Sequence, residues 1–247
     1  MTKVAVIGAR GRMGQTVCEA VEAAEDLELV ARLDEGDAIS KDTLNDAQVA
    51  VDFTVPSQTL NNVLALVELG VHVVVGTTGW DEERYARVRQ AIADGQANVF
   101  IAPNFALSAV VAMEFAALAA PLFESVEVIE LHHPNKVDAP SGTAATTASK
   151  IAKARSAAGV DPAPDATETD PHGTRGGTID GVPVHAVRLR GLVAHEEILF
   201  GNAGETLTIR TDSFDRISFM PGVLMAVREV GKRPGLTVGL EQLISLR

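Results

Sequence analysis

Thr2-Lys3-Val4-Ala5-Val6-Ile7-Gly8-Ala9-Arg10-Gly11-Arg12-Met13-Gly14 decides the fold. An apolar run passes straight into a glycine-rich turn, and that turn opens an amphipathic helix over about Met13–Ala24. A turn of this kind lets the backbone approach a pyrophosphate, whose charge is met by helix N–H groups and the helix dipole. The spacing is G-x-x-G-x-x-G rather than G-x-G-x-x-G. A P-loop is excluded, because Gln15 stands where that motif needs Lys before Thr16 and Ala9 replaces its first glycine. The bland alternative is a βα turn that binds nothing; three glycines between a strand and a helix weigh against it. Asp34 closes the next strand, 20 residues after Gly14. An acid at that distance takes the adenosine ribose 2′-OH and favours NADH, whereas Arg10 and Arg12 can receive a 2′-phosphate and favour NADPH. Use of both cofactors, NADH and NADPH, is the expectation; a solvated turn in the acidic run Asp34-Glu35-Gly36-Asp37 is the competing role for Asp34.

Outward from that turn, short apolar runs alternate with amphipathic ones. Strands are expected at Val4–Ile7, Leu27–Leu33, Val49–Phe53, Val71–Val75 and Val99–Ala102. Helices are expected at Ser57–Leu69, with Ser57 as N-cap after Pro56, and at Asp81–Ala93. Alternation of this kind implies a parallel, doubly wound Rossmann-type sheet. Two further loops at strand ends, Gly76-Thr77-Thr78-Gly79 and Ala102-Pro103-Asn104-Phe105, converge on the ligand crevice of such a sheet. Thr77, Thr78 and Asn104 suit a ribose or carboxamide. Phe53 suits either the core or a nicotinamide ring.

After Asn104 the pattern changes to α+β. A helix over Ser108–Phe123 precedes a strand, Val126–His132, and a second helix runs from Ser141 to Ala157. Residues 159–178 lack periodicity and read as a mobile surface loop. Val184–Arg190, His195–Phe200 and Thr206–Thr211 read as antiparallel strands with one wet face. Pro221–Glu229 is helical again.

Composition narrows the function. Lys and Arg number 21 against 33 Asp and Glu, a formal charge of −12. That excess of acid argues against nucleic-acid and anionic-membrane partners, which need a basic footprint. A single cysteine, Cys18, allows no intrachain disulfide. The amino-terminal pattern has no secretory layout, and no apolar run approaches the roughly 20 residues of a membrane span. A cytoplasmic protein is expected.

The chemistry concentrates in His132-His133-Pro134-Asn135-Lys136-Val137-Asp138-Ala139-Pro140-Ser141-Gly142-Thr143. Both histidines end a strand and start on opposite faces. Adjacent histidines rarely chelate one ion and no second ligand set has metal spacing, so no metal is expected and titrating roles suit them better. Ser141 is a natural N-cap, while Gly142 and Thr143 present backbone N–H groups. With Lys136 and a histidine, that helix start forms a pocket for carboxylates. A merely well-capped helix is the competing reading, favoured for Ser141 alone but not for the whole string.

These stretches carry a resemblance. GARGRMG, FTVPS, GTTGW, APNF and above all ELHHPNKVDAPSGTA make the chain similar, over essentially its full length, to the dihydrodipicolinate reductases of bacterial lysine and diaminopimelate biosynthesis. PGVLMAVREV and RPGLTVGLEQLI resemble the actinobacterial branch. The resemblance implies hydride transfer from NAD(P)H to a small cyclic dicarboxylate, with His132 as proton donor and Lys136 as a second acid/base. It implies carboxylate contacts from His133, Gly142 and Thr143. It further implies cofactor contacts from Gly8, Ala9, Arg10, Gly11, Arg12, Met13, Asp34, Gly76, Thr77, Thr78, Ala102, Pro103, Asn104 and Phe105. A dinucleotide-binding domain of residues 1–105 plus 217–247, a substrate-binding and tetramerisation domain of residues 106–216, and a homotetramer follow from it. Two positions depart from the family pattern. Ser108 stands near a usual glycine, where it would be strained if φ were positive, and Thr211 replaces a common histidine. His72 is expected to be structural, His172 solvated, and His185 and His195 packing or interface residues; Arg216 suits a substrate contact or an ion pair. The rival readings are another NAD(P)-dependent reductase and a non-catalytic NAD(P)-sensing regulator.

Overall fold

The computed structural model describes residues 1–93 and 97–246. Its elements run β1 (Thr2–Ile7), α1 (Arg12–Glu22), β2 (Leu27–Leu33), α2 (Lys41–Leu44), β3 (Val49–Asp52), α3 (Thr59–Glu68), β4 (His72–Val75), α4 (Glu82–Ala93), β5 (Val99–Ile101), α5 (Leu107–Ala119), β6 (Ser125–His132), α6 (Gly142–Ala157), β7 (Gly177–Ile179), β8 (Val182–Arg188), β9 (Ala194–Asn202), β10 (Glu205–Ser213), α7 (Met220–Glu229) and β11 (Leu236–Val238). The chain separates into two compact units, Met1–Leu107 with Arg216–Arg247, and Ser108–Asp215.

The first unit is a parallel sheet in the order β11-β5-β4-β3-β1-β2. Consecutive residues of β3 and β4 are buried, Val73, Val74 and Val75 among them. Because neighbours on a strand point to opposite faces, both faces are covered, and that is why these strands read as unbroken apolar runs. From β1 the chain moves out to β2 and then returns to pair β3 on the other side of β1. This reversal is the topological switch point, at the carboxyl ends of β1 and β3. β11 is a sixth strand that the sequence reading lacks. Its three residues pair in parallel with β5, Thr237 opposite Phe100, and so short a run has no period of its own. α2 was missed for the same reason; Ser40 and Thr43 cap it reciprocally.

The second unit is a mixed sheet in the order β10-β9-β6-β8-β7. β9 and β10 pair antiparallel, as expected, but β8 runs parallel to β6. The cause is α6, which supplies the crossover that a parallel return requires. β6 alternates: Val126, Val128 and Glu130 are buried, while Ser125, Glu127 and Ile129 are half-exposed. The buried face packs with Ala144, Ala148 and Ile151 of α6 and with Ile198 and Phe200 of β9.

Two local expectations are corrected. Ser57 does not cap α3, which opens at Gln58 without a side-chain bond. The amides of Gln58 and Thr59 already donate to the Val55 carbonyl, at 3.0 and 3.1 Å, so a tight turn has replaced the cap. The 159–178 segment is tied down. Arg155 donates to the Asp161 carbonyl, Asp170 accepts the amides of Thr174 and Arg175, Arg175 pairs with Glu127 at 2.7 Å, and β7 begins at Gly177. Bonds between side chains and backbone leave no periodicity to read.

Candidate active site

In the first unit, Gly8 has φ +83°, and a Cβ there would lie 2.4 Å from the Phe53 carbonyl oxygen. A Cβ on Gly14 would lie 2.0 Å from the Gly8 oxygen. The turn is therefore closed by backbone-on-backbone approach that only glycine allows. Ala9 is buried, while Arg10 and Arg12 are exposed beside the turn. Gly11 is the N-cap of α1 and no side chain caps that helix, so the amides of Arg12 and Met13 stand where helix N–H groups lack intrahelical acceptors. This arrangement fits a pyrophosphate. Asp34 is bound into the turn: its Oδ2 accepts the Arg10 amide at 2.6 Å and its Oδ1 the Glu35 amide at 2.9 Å. Those two bonds, the Arg10 amide first, hold the carboxyl below its usual range. A carboxylate has about four lone-pair sites, so a ribose hydroxyl can still be accepted.

Between the loop after β3 and the Gly76–Gly79 loop lies a knot of hydrogen bonds that local sequence pattern does not record. Asp52 is fully buried. It accepts hydroxyls from Thr54, Thr59 and Thr77 at 2.9, 2.9 and 2.7 Å and the Asn62 amide at 2.9 Å. The Thr77 hydroxyl also accepts the Thr54 amide at 2.8 Å. Thr77 is thus a brace between loops rather than a side chain free for ribose, and Thr78 is the exposed one. A Cβ on Gly76 would sit 2.0 Å from the half-buried Phe53 ring, whose centroid is 6.0 Å from that of Phe105. Ala102 and Phe105 are buried, Pro103 is exposed, and Asn104 accepts the Ala106 amide at 2.8 Å. The first two of the three loops are built on glycines, and Asp52 braces the second through Thr77; the third is held by the buried Ala102 and Phe105 and by the Asn104 side chain.

The second unit assembles the histidine stretch around Glu130. This carboxylate is fully buried and takes four donors. His132 Nδ1 lies 2.5 Å from it, Arg188 donates twice at 2.7 Å, and the Ser141 amide donates at 3.2 Å. Burial alone would raise the Glu130 carboxyl, but Arg188 and His132 hold it below the usual range. Desolvation in turn lowers the His132 imidazole against the pull of Glu130, helped by the nearby charges of Lys136 and Arg188. Lys136 is largely covered, and its ammonium binds Asp138 at 2.8 Å. His133 is exposed. Ser141 caps α6 by accepting the Ala144 amide at 3.1 Å. A Cβ on Gly142 would meet nothing within 4 Å, so the ground above the helix start is open to a ligand. His132, Lys136, Gly142 and Thr143 thus lie on one connected stretch, with Glu130 and Arg188 as the residues missed and Asp138, inside the quoted stretch but given no role there, as the partner of Lys136. Glu130 was legible, since it sits two residues before His132 on the same strand face. Arg188 was not, because only the β6–β8 register, His132 opposite Arg188, brings it there.

The two departures from the family pattern meet each other. Thr211 donates its hydroxyl to Ser108 Oγ at 2.9 Å. Ser108 lies inside α5, and only Asn45, Asp46 and Asp180 have positive φ among the described non-glycine residues. The anticipated strain is absent because the position is helical. Among the remaining histidines, His72 accepts the Asn98 amide at 2.9 Å, His185 binds Glu127 at 2.7 Å, and His195 binds Asp212 at 2.6 Å. His172 and Arg216 are exposed. Among the described residues, no group of three or more His, Cys, Asp and Glu side chains could hold a metal ion, and no helix is long and apolar enough to cross a membrane.

Residues 2–105 match the family model described as dihydrodipicolinate reductase, N-terminus, and residues 108–244 match its C-terminus. The chain is 62% identical to the 4-hydroxy-tetrahydrodipicolinate reductase of Bifidobacterium animalis subsp. lactis over the whole of both chains. It is 60% identical to that of Nocardia farcinica over 99% of each. A solved dipicolinate-bound dihydrodipicolinate reductase from Paenisporosarcina superposes with a TM-score of 0.88 at 37% identity, covering 99% of this chain and 100% of that one. With two family models spanning nearly every residue and relatives this similar end to end, the chain belongs to the dihydrodipicolinate reductase family.

Proposed function

We propose that this protein reduces 4-hydroxy-tetrahydrodipicolinate to tetrahydrodipicolinate with NADH or NADPH, in lysine and diaminopimelate biosynthesis, and that His132 delivers the proton. The observation that carries the residue assignment is the Glu130–His132 pair, poised beside the capped start of α6. The bound nicotinamide supplies a hydride; the substrate also takes up a proton and loses its hydroxyl as water.

Each residue has a task set by its surroundings. Glu130 fixes the His132 ring by taking Nδ1, which turns Nε2 outward as the donating atom. In the free enzyme burial holds the imidazole below its ordinary range. A dianionic substrate brings negative charge beside it, which favours the protonated form when the proton is needed. Lys136, His133 and the N–H groups of Gly142 and Thr143 receive the carboxylates, a charge match that a local cluster makes despite the overall −12. Lys136 is also the second acid/base, and Asp138 restrains its ammonium. In the first unit the glycine turn binds the pyrophosphate. Asp34 takes the ribose diol of NADH, and Arg10 and Arg12 take the 2′-phosphate of NADPH.

The reading extends to assembly and location. The outer face of the second sheet carries Ile129, Leu131, Val187 and Leu199 half-exposed, a surface suited to pairing sheets in a homotetramer. One cysteine and an acidic surface suit the cytoplasm. The deciding experiment follows NADH oxidation optically, with substrate generated in place from pyruvate and aspartate semialdehyde by the preceding synthase. Turnover with both cofactors is expected, as is a His132→Gln variant with reduced kcat and nearly unchanged substrate KM. Cofactor binding without turnover would favour an NAD(P)-sensing regulator, and undiminished turnover in His132→Gln would remove its acid role. Light scattering tests the tetramer.

A further inference from the structure

Glu196 is a buried carboxyl that the reaction leaves unused. The register of β9 places it directly opposite Glu130 of β6 and Thr211 of β10, on the covered face of the sheet. It is 3% exposed. Oε2 is buried with no hydrogen-bond partner among the described residues. Thr147 Oγ1 of α6 lies 2.7 Å from Glu196 Oε1 and 3.0 Å from the Thr143 carbonyl oxygen.

A hydroxyl has one proton, so Thr147 cannot donate fully to both acceptors. Both contacts are satisfied if Glu196 carries a proton and donates it to Thr147 Oγ1, whose own O–H then goes to the Thr143 carbonyl. Charge points the same way. Among the described residues, the charged groups on this side of the sheet include Glu130 with its partners His132 and Arg188, and Arg155, about two turns along α6 from Thr147, which donates to the Ala120, Phe123, Glu124 and Asp161 carbonyls; Thr147 and Thr211 are neutral. Glu130 takes the His132 and Arg188 donors, and among the described residues Glu196 has no cationic hydrogen-bond or ion-pair partner. Two adjacent buried carboxyls with one set of cations ionise one at a time. Burial, reinforced by the Glu130 charge, pushes the Glu196 carboxyl up to about 7.

We propose that Glu196 is a positioning residue that works in its protonated form, holding the first turn of α6, and with it the Gly142 and Thr143 donors, against the sheet. Loss of its proton weakens dicarboxylate binding in two ways. It draws the Thr147 O–H away from the Thr143 carbonyl, and it adds negative charge behind a pocket built for a dianion. The binding half of this inference rests on the assignment of that turn to the substrate carboxylates.

The test titrates pyridine-2,6-dicarboxylate into the full chain by calorimetry between about pH 6 and about pH 8. His132 titrates in both proteins, so the comparison is wild type against Glu196→Gln, whose amide keeps the shape and the donation to Thr147. Wild-type affinity should fall about tenfold further than that of Glu196→Gln across the range. Thr147→Val should bind several-fold more weakly at every pH. Parallel pH profiles for wild type and Glu196→Gln would overturn the proposal. Infrared difference spectra of the same two proteins should show a protonated-carboxyl band at about pH 6 that fades as pH rises. Its absence would overturn the proposal whatever the ligand does. A band without any dicarboxylate binding would instead defeat the substrate assignment, and the binding half with it, leaving the buried proton standing.

Discussion

Replacing Glu130 by Gln tests whether the candidate site is organised around that carboxylate. The side chain keeps its size but loses its charge and turns one acceptor into a donor. Four donors converge on Glu130 in the native protein, two from Arg188 and one each from His132 and Ser141. An amide can satisfy at most two or three of them, and its N–H₂ must face another donor. Removing one member of a buried ion pair costs roughly 3–5 kcal/mol. Arg188 keeps the Val187 and Asp138 carbonyls as acceptors, which puts the expected loss near the lower end, about 3 kcal/mol. For a chain of this size that is on the order of 6–12 °C in Tm. The kinetic effect separates from the stability effect. Without Glu130 the interactions that raise the His132 imidazole disappear and desolvation, Lys136 and Arg188 remain. The protonated fraction at neutral pH falls, and kcat should drop on the order of 10²-fold, with the descending limb of its pH profile moved to lower pH. Thermal unfolding and a kcat–pH series on the purified variant measure both. A Tm within about 2 °C of wild type, or a lowered kcat whose pH profile has not moved, would refute the reasoning.

Three further outcomes are expected. The His132 imidazole is held low in the free enzyme, so kcat/KM should decline with rising pH at a lower value than kcat, which reports the substrate-bound state; coincident breaks would count against substrate-raised protonation. Gly76→Ala should lose about 1–3 kcal/mol, because its Cβ would enter the Phe53 ring at 2.0 Å. Adding Phe53→Ala should recover part of that loss, and a chemically additive pair in urea melts would show that the contact is not the cause. For Glu196, the native carboxyl titrates at about 7 against an ordinary 4.5, so between those values the folded state binds the extra proton. The group therefore destabilises progressively as pH rises from about 4.5 to about 7, by roughly 3 kcal/mol when complete. Glu196→Gln should flatten that part of the stability profile, and unchanged slopes in urea midpoints against pH would contradict it.

Much of this protein is legible locally. The glycine turn, the alternation of short apolar strands with helices, and the Ser141 cap are all written in neighbouring residues, because strand period, helix period and capping depend on contacts within a few positions. His132, Lys136 and the helix start were legible for the same reason, as one continuous stretch. The elements misread are those whose cause lies elsewhere. β11 exists because β5 has a free edge, β8 is parallel because α6 intervenes, and Ser57 lost its cap to a turn at Val55.

The sequence by itself determined the fold class, the glycine-rich turn and the polar stretch from His132 to Thr143 as a candidate site, since these follow from period, spacing and residue type along the chain. Only the tertiary structure decided how those residues are charged and aimed. Arg188 reaches Glu130 across 58 residues of chain, Thr77 reaches Asp52 across 25, and Glu196 stands against Glu130 through strand register alone. Protonation and orientation are set by burial and by the partner at hydrogen-bond distance, and those are properties of packing that no local pattern records.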